Sequence, residues 1–239
     1  MYEAVYAHPD GDSTVARHVL TAADSGYDGI VVRNHGDAQA DYDADEISDA
    51  YDIDVAAGVE VRAEDPSRAS GFVGNYRSDR TVVVVHGGDR RINRFAVEQP
   101  TVDVLAHPMR EDGDFNHVLA NAAADNGVRV EFDFGPVLRA SGGSRVRAIK
   151  ELRKLRELVE DAGAPFVISA SPTNHLQIRA PRDIIAVGET IGFDADTVRE
   201  GLAEWGRVVE RNRERQSDAV IEPGVRLEDG PDEVGDNGE

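Results

Sequence analysis

Short apolar runs rich in β-branched residues alternate along the chain with longer stretches whose apolar positions recur at three- and four-residue spacing. The first run, Glu3-Ala4-Val5-Tyr6-Ala7-His8, reads as a strand. Asp12 or Ser13 then caps a helix that carries Val15, Val19, Leu20 and Ala23 to Gly26. Gly29-Ile30-Val31-Val32-Arg33 is a second strand and Asp54 to Ala63 a third, with a short helix around Ile47 and Tyr51 between them. Pro66 to Asp79 has no clear period and is expected to be irregular. Thr81-Val82-Val83-Val84-Val85-His86 is the clearest strand, because an unbroken β-branched run suits a strand buried on both faces. A helix near Ile92, Phe95 and Val97 leads to a fifth strand, Val102 to Ala106, and a helix from Asn116 to Asn126 leads to a sixth, Arg129 to Asp133. The longest helix falls over Ser144 to Ala162, with Leu152, Leu155 and Val159 on its apolar face, and Phe166 to Ser169 is the seventh strand. Pro181 suits the first turn of another helix, and a last helix, Asp194 to Gln216, spaces Val198, Leu202, Trp205 and Val209 on one side.

Strand and helix in strict alternation imply a parallel sheet, and the number of strands favours closing it. The fold expected is α/β: a TIM-barrel-like parallel barrel of about seven strands with surrounding helices, spanning residues 1–216. In such folds the functional face lies at the C-terminal ends of the strands. His8, Asn34, His35, Arg62, His86, His107, Asp133 and Ser171 fall there. Residues 217–239, rich in Asp, Glu, Gly and Pro, are expected to form a disordered acidic tail.

Composition narrows the chemistry. The 239 residues include no cysteine, which excludes disulfides, thiolate nucleophiles and thiolate metal sites together. Neither a membrane-spanning apolar run nor an N-terminal signal is read, so a cytoplasmic location without membrane contact is expected. A formal charge of −20 ordinarily argues against a nucleic-acid partner. Here, however, lysine occurs only at Lys150 and Lys154, the other basic residues are arginine, and the acids are spread along the whole chain. That balance resembles proteins adapted to molar salt, where the Debye length is about 3 Å and local arginine clusters outweigh net charge.

Glu60, His86, His107 and Glu131 stand at strand ends of one face, and imidazole with carboxylate suits zinc, manganese or iron. Gly58-Val59-Glu60 and His107-Pro108 resemble motifs of the PHP phosphoesterase family, a distorted parallel barrel. That family opens with a His-x-His pair after the first strand and carries a late Asp-x-His. At those places this chain has Ala7-His8-Pro9-Asp10 and Ser169-Ala170-Ser171. No metal is therefore expected, and the four residues are read as vestigial ligands that plug the barrel mouth by hydrogen bonding. A PHP-type metal-dependent phosphoesterase with a reduced ligand set is the alternative.

Arg139, Arg145, Arg147, Lys150, Arg153, Lys154 and Arg156 fall in one segment against Glu151 alone, and 147, 150 and 154 share a helix face opposite Leu152 and Leu155. Gly142-Gly143-Ser144 precede them and leave backbone N–H groups free for an anion. Arg90 and Arg91 with Arg94, and Arg179 with Arg182, form two smaller clusters. No aromatic residues interleave, which favours contact with the backbone and shape of folded RNA over base stacking.

Taken in order, the Asn34-His35 exit, the basic helix after Leu138-Arg139 and the run Ile178-Arg179-Ala180-Pro181-Arg182-Asp183 resemble the thirty-kilodalton protein subunit family of archaeal and eukaryotic ribonuclease P, over about Tyr2 to Val209. The resemblance implies tRNA 5′ maturation without an active site in this chain. The RNA subunit, with magnesium (Mg), would hydrolyse precursor tRNA, and no cofactor would be bound by this chain. It also implies as partners the ribonuclease P RNA, ribonuclease P protein component 2 and other protein subunits, and precursor tRNA in the holoenzyme. With the acidic, arginine-dominated composition it points to a haloarchaeal member. Arg179 and Arg182 would belong to the family's basic segment.

Overall fold

The computed structural model describes residues 1–111, 113–217, 220–222 and 225–226. Seven strands, β1 (Tyr2–Val5), β2 (Gly29–Val32), β3 (Asp54–Val61), β4 (Val82–His86), β5 (Val104–Ala106), β6 (Arg129–Asp133) and β7 (Phe166–Ser169), pair in sequence order, every ladder parallel. The connections are α1 (Val15–Asp24), α2 (Ala44–Tyr51), α3 (Pro66–Arg77), α4 (Arg90–Val97), α5 (His117–Asn126), then α6 (Gly135–Arg139) with α7 (Gly142–Ala162), and α8 (Pro181–Ile191) with α9 (Ala195–Gln216). The α/β barrel expected from the alternation is the fold observed.

Two differences from the sequence reading have physical causes. Pro66–Arg77 is a helix, started by Pro66 in its first turn and by Asp65, whose carboxylate accepts from the Arg68 N–H. It buries only Ala69 and Val73, so it writes no apolar stripe into the sequence. The short helix α6 at Gly135–Arg139 was also not foreseen; it occupies a single turn between β6 and α7. The disorder expected for the acidic tail falls largely outside the described residues. Within that tail, Val220–Glu222 (β8) and Val225–Arg226 (β9) pair antiparallel. Among the described residues no helix is long and apolar enough to cross a membrane.

The strands separate two cores. Their outward residues, such as Val5, Ile30, Val59, Val83, Val85, Leu105 and Val130, pack under the surrounding helices. Their inward residues are mostly small, Ala4, Val31, Ala56, Val84, Ala106 and Val167, and form a second core with Trp205, Val208 and Val209 of α9. Helix α9 thus begins outside β7, where Val198 and Leu202 join the outer core, and ends against the barrel interior.

No ladder joins β1 to β7 among the described residues. Side chains close this seam instead. The Trp205 indole N–H donates to the Ile168 carbonyl at 3.0 Å, and the Ala170 N–H donates to the Glu3 carboxylate at 3.0 Å. Ser169 Oγ also donates to Glu3, at 2.8 Å, and two backbone bonds, Tyr6 N–H to the Pro172 carbonyl at 3.0 Å and Asp12 N–H to the Thr173 carbonyl at 2.7 Å, complete the join. Each satisfies a polar group that an open sheet edge would leave unpaired.

Candidate functional site

Continuing the inward register toward the strand exits leads from the small residues to polar ones: Tyr6, Arg33, Glu60, His86, Glu131, Asp133 and Ser169. Arg33, two residues beyond Val31, is fully buried there. It lies between the carboxylates of two other strands. Nη1 and Nη2 grip Glu131 Oε1 and Oε2 at 2.5 and 3.2 Å. Nε stands 3.2 Å from Glu60 Oε2, and Nη2 also donates to the Tyr6 hydroxyl at 2.7 Å. Burial alone would lower the arginine pKa, but Glu131, Tyr6 and Glu60 outweigh it and hold the guanidinium firmly charged. Glu60 is likewise opposed by burial, yet Arg33, with hydrogen bonds from His35 and His86, holds it well below the usual carboxylate range.

The histidines gather on the other oxygen of Glu60. His86 Nδ1 is hydrogen-bonded to Oε1, while His35 Nε2 and His107 Nε2 stand 3.5 and 3.6 Å from it. His35 Nδ1 meets Asp10 Oδ2 at 2.7 Å, and its two carboxylate neighbours overcome burial to raise its pKa. Burial, reinforced by His107 and His35, lowers that of His86. His107 Nδ1 lies 3.4 Å from Asp133, whose carboxyl is held at about 2 because that hydrogen bond and charge outweigh burial. His107 and Ser171 both sit at strand exits with positive φ, 50° and 46°, conformations that cost a residue with a Cβ and re-aim the chain across the mouth.

The sequence placed Glu60, His86, His107 and Glu131 in one cluster, and the structure brings all four together. It missed Arg33, Tyr6 and Asp10 as members. His35, Glu60 and His86 each offer one donor within 4.8 Å of the others, a set of zinc or manganese type. A centre of two or more ions does not fit, because Glu131 and the second oxygen of Glu60 are already taken by Arg33. Ser171, one of the two serines in place of Asp-x-His, lies 3.5 Å from Arg33 and from Glu131.

The basic clusters divide by their partners. Arg90, Arg91 and Arg94 each have a carboxylate, Asp114, Asp89 and Glu98, and Arg182 lies 3.7 Å from Asp183. Arg156 pairs with Glu160. Among the described residues Arg139, Arg145, Arg153 and Arg179 donate only to backbone carbonyls: Ala170 and Ser171, Ala140, Thr190, and Leu176 with Ile178. Arg147, Lys150 and Lys154 are exposed and have no carboxylate partner among the described residues. The face of α7 opposite buried Leu152, Leu155 and Val159 therefore presents three cations that no carboxylate of the described residues pairs. The N-terminus of α7, at Ser141, and that of α8, at Ala180, lack a side-chain cap, whereas Thr14, Asp43, Asp65, Asp89, Asn116 and Asp194 cap six of the other helices.

Fold and mouth together define a barrel of the PHP type whose ligand cluster is built around a buried arginine. Histidinol phosphate phosphatase from Lactococcus lactis, in a structure with zinc, L-histidinol and phosphate, shares this fold at a TM-score of 0.55 and 11% identity, over 80% of this chain and 94% of that one. A chain of an archaeal ribonuclease P solved with mature tRNA superposes better, at a TM-score of 0.81 and 23% identity over 98% of this chain and 100% of that one. Ribonuclease P protein component 3 of Haloarcula marismortui is 91% identical over 98% of this chain and 100% of its own length, and that of Natronomonas pharaonis is 62% identical over 100% of both. The family model for ribonuclease P subunit p30 matches residues 1–217, and the chain belongs to that family.

Proposed function

We propose that this chain serves ribonuclease P as a non-catalytic protein subunit that lays the basic face of α7 against RNA, while the assembly cleaves precursor tRNA to give mature 5′ ends. Family membership supplies the enzyme. One observation carries the assignment of the surface: in a chain of net charge −20, six cations without a carboxylate partner among the described residues, Arg139, Arg145, Arg147, Lys150, Arg153 and Lys154, are gathered on α6 and α7. Arg139 and Arg145 are held in place through carbonyls, which orients each guanidinium without neutralising it. The open N–H groups at the starts of α7 and α8 add to the same positive rim. Arg179 lies beside them, while the paired Arg90, Arg91 and Arg182 contribute less. The RNA subunit with its magnesium performs the hydrolysis in this reading, and a small protein partner together with other subunits completes the particle.

Reconstitution at molar salt tests it. The protein alone leaves precursor tRNA intact, and added with its partners to the RNA at limiting magnesium it restores 5′ cleavage. Reversing Lys150 and Lys154 to Glu weakens RNA association roughly ten-fold or more, each lost phosphate contact acting independently of sequence. The melting temperature stays within error, because both side chains are exposed. Reversing Arg90 changes binding little. Unchanged affinity in the Lys150→Glu, Lys154→Glu protein sinks the α7 assignment.

A further inference from the structure

The mouth cluster has a cation of its own. We infer that Arg33 is the resident cation of the barrel mouth and is what keeps divalent transition metals out of the donor set His35, Glu60, His86 and His107. The donors are otherwise suited to an ion. His35 Nε2, Glu60 Oε1 and His86 Nδ1 converge within 4.8 Å, and His107 Nε2 stands 3.6 Å from the same Glu60 oxygen. His35 is backed through Nδ1 by Asp10 at 2.7 Å, the outer carboxylate support that metal-binding imidazoles use. What differs is the far side of Glu60. Its Oε2 faces Arg33 Nε at 3.2 Å, and the neighbouring carboxylate, Glu131, is gripped by both Nη atoms of the same guanidinium.

Arg33 cannot step aside. It is 0% exposed, stacks 4.9 Å from the Tyr6 ring centroid and 5.8 Å from that of Trp205, and leaving would strand two buried carboxylates. Nor can it shed its charge, since guanidinium does not deprotonate in proteins. An ion on the histidine side would share Glu60 with this fixed charge in a site shielded from water. At an effective dielectric near 20, the repulsion between +2 and +1 a few ångströms apart weakens binding by roughly 100-fold or more. A guanidinium also differs from a metal in what it can do. It satisfies the carboxylates, but it has no open coordination position on which to ionise water. The inference is independent of the RNA face on α7.

Metal binding by the full-length protein tests it without any activity assay. Wild type, Arg33→Met, Arg33→Lys and the double variant Arg33→Met, His35→Ala are equilibrated with cobalt(II), and bound metal per chain and the visible cobalt absorption are read. Arg33→Met is expected to take up one ion per chain, roughly 100-fold more tightly than wild type. Arg33→Lys, which keeps the charge, stays like wild type, and removing His35 abolishes the gain. The double variant Arg33→Met, Glu131→Gln leaves one carboxylate fewer unpaired and carries the same comparison where the single substitution fails to fold. A wild-type protein that holds a stoichiometric ion as tightly as these variants overturns the inference, as does a folded variant that gains no affinity.

Discussion

Arg33 was hidden in the sequence because β2 is apolar on both sides. Val31 and Val32 look alike in Gly29-Ile30-Val31-Val32-Arg33, so nothing marks which of them points inward. The register supplies the answer, since Val31 belongs to the inner core and Arg33 follows two positions later. Glu60 and Glu131 could be read because their types and strand-end positions announce metal chemistry. The arginine that neutralises them could not. Two other buried titratable residues contribute to the response to pH with opposite signs. Burial drives the Glu3 carboxyl from 4.5 up to about 7 against the hydrogen bonds from Ser169, Ala170 and Ala4, and drives His18 from 6.5 down to about 4. Glu3 thus stabilises the fold below its unfolded pKa and loses that contribution as pH rises through about 7. His18 works in the opposite sense: its contribution is full above 6.5 and is lost as pH falls towards about 4. The two slopes oppose each other in mildly acidic buffer. Glu3→Gln removes one of them, so its stability relative to wild type should rise by about 3 kcal/mol, to order of magnitude, between pH 4.5 and 7. Chemical denaturation of both proteins across that range measures it, and a pH-independent difference rules the assignment out.

At the scale of elements, helices with one apolar stripe were legible and those without were not. The exposed positions 147, 150 and 154 of α7 follow from its spacing, as does burial of Leu152 and Leu155. Helix α3 carries Gly71 and Gly74 and buries two side chains, so its only sequence signal is the Asp65-Pro66 start. Pairing of the arginines was legible in part. Arg94 and Glu98 are one helical turn apart, but Asp114 reaches Arg90 only through the fold. Close approach of α9 to β7 depends on Gly201: a Cβ there would meet Ile168 Cγ1 at 2.7 Å and Phe166 Cε2 at 2.9 Å. Gly201→Ala should therefore destabilise by about 1–3 kcal/mol through overpacking, with no loss of RNA affinity in the protein that remains folded. Thermal or denaturant melting decides it, and a neutral substitution would show that the helix can retreat at no cost.

For the molecule as a whole, an excess of acid spread over the surface makes salt part of the fold's working environment. Raising KCl from about 0.1 M to about 3 M shortens the screening length to the size of a side chain, so self-repulsion fades while contacts between adjacent groups survive. The melting temperature should climb across that range, and a flat or falling curve would mean that the −20 net charge costs the fold nothing. The barrel itself was evident from strand count and alternation, but the manner of its closing was not, because Glu3 and Trp205 are residues with many other possible uses. That seam also bears on biosynthesis. Of the seven barrel strands, the one made earliest, β1, ends up beside the one made latest, β7, and the wedge that dries the space between them, Trp205 to Val209, is made later still. Without α9 the small inward residues of the strands have nothing to pack against, and the Ile168 carbonyl loses the Trp205 indole as its partner at the seam. A stalled or truncated chain lacking α9 is therefore one that quality control can recognise by its open side.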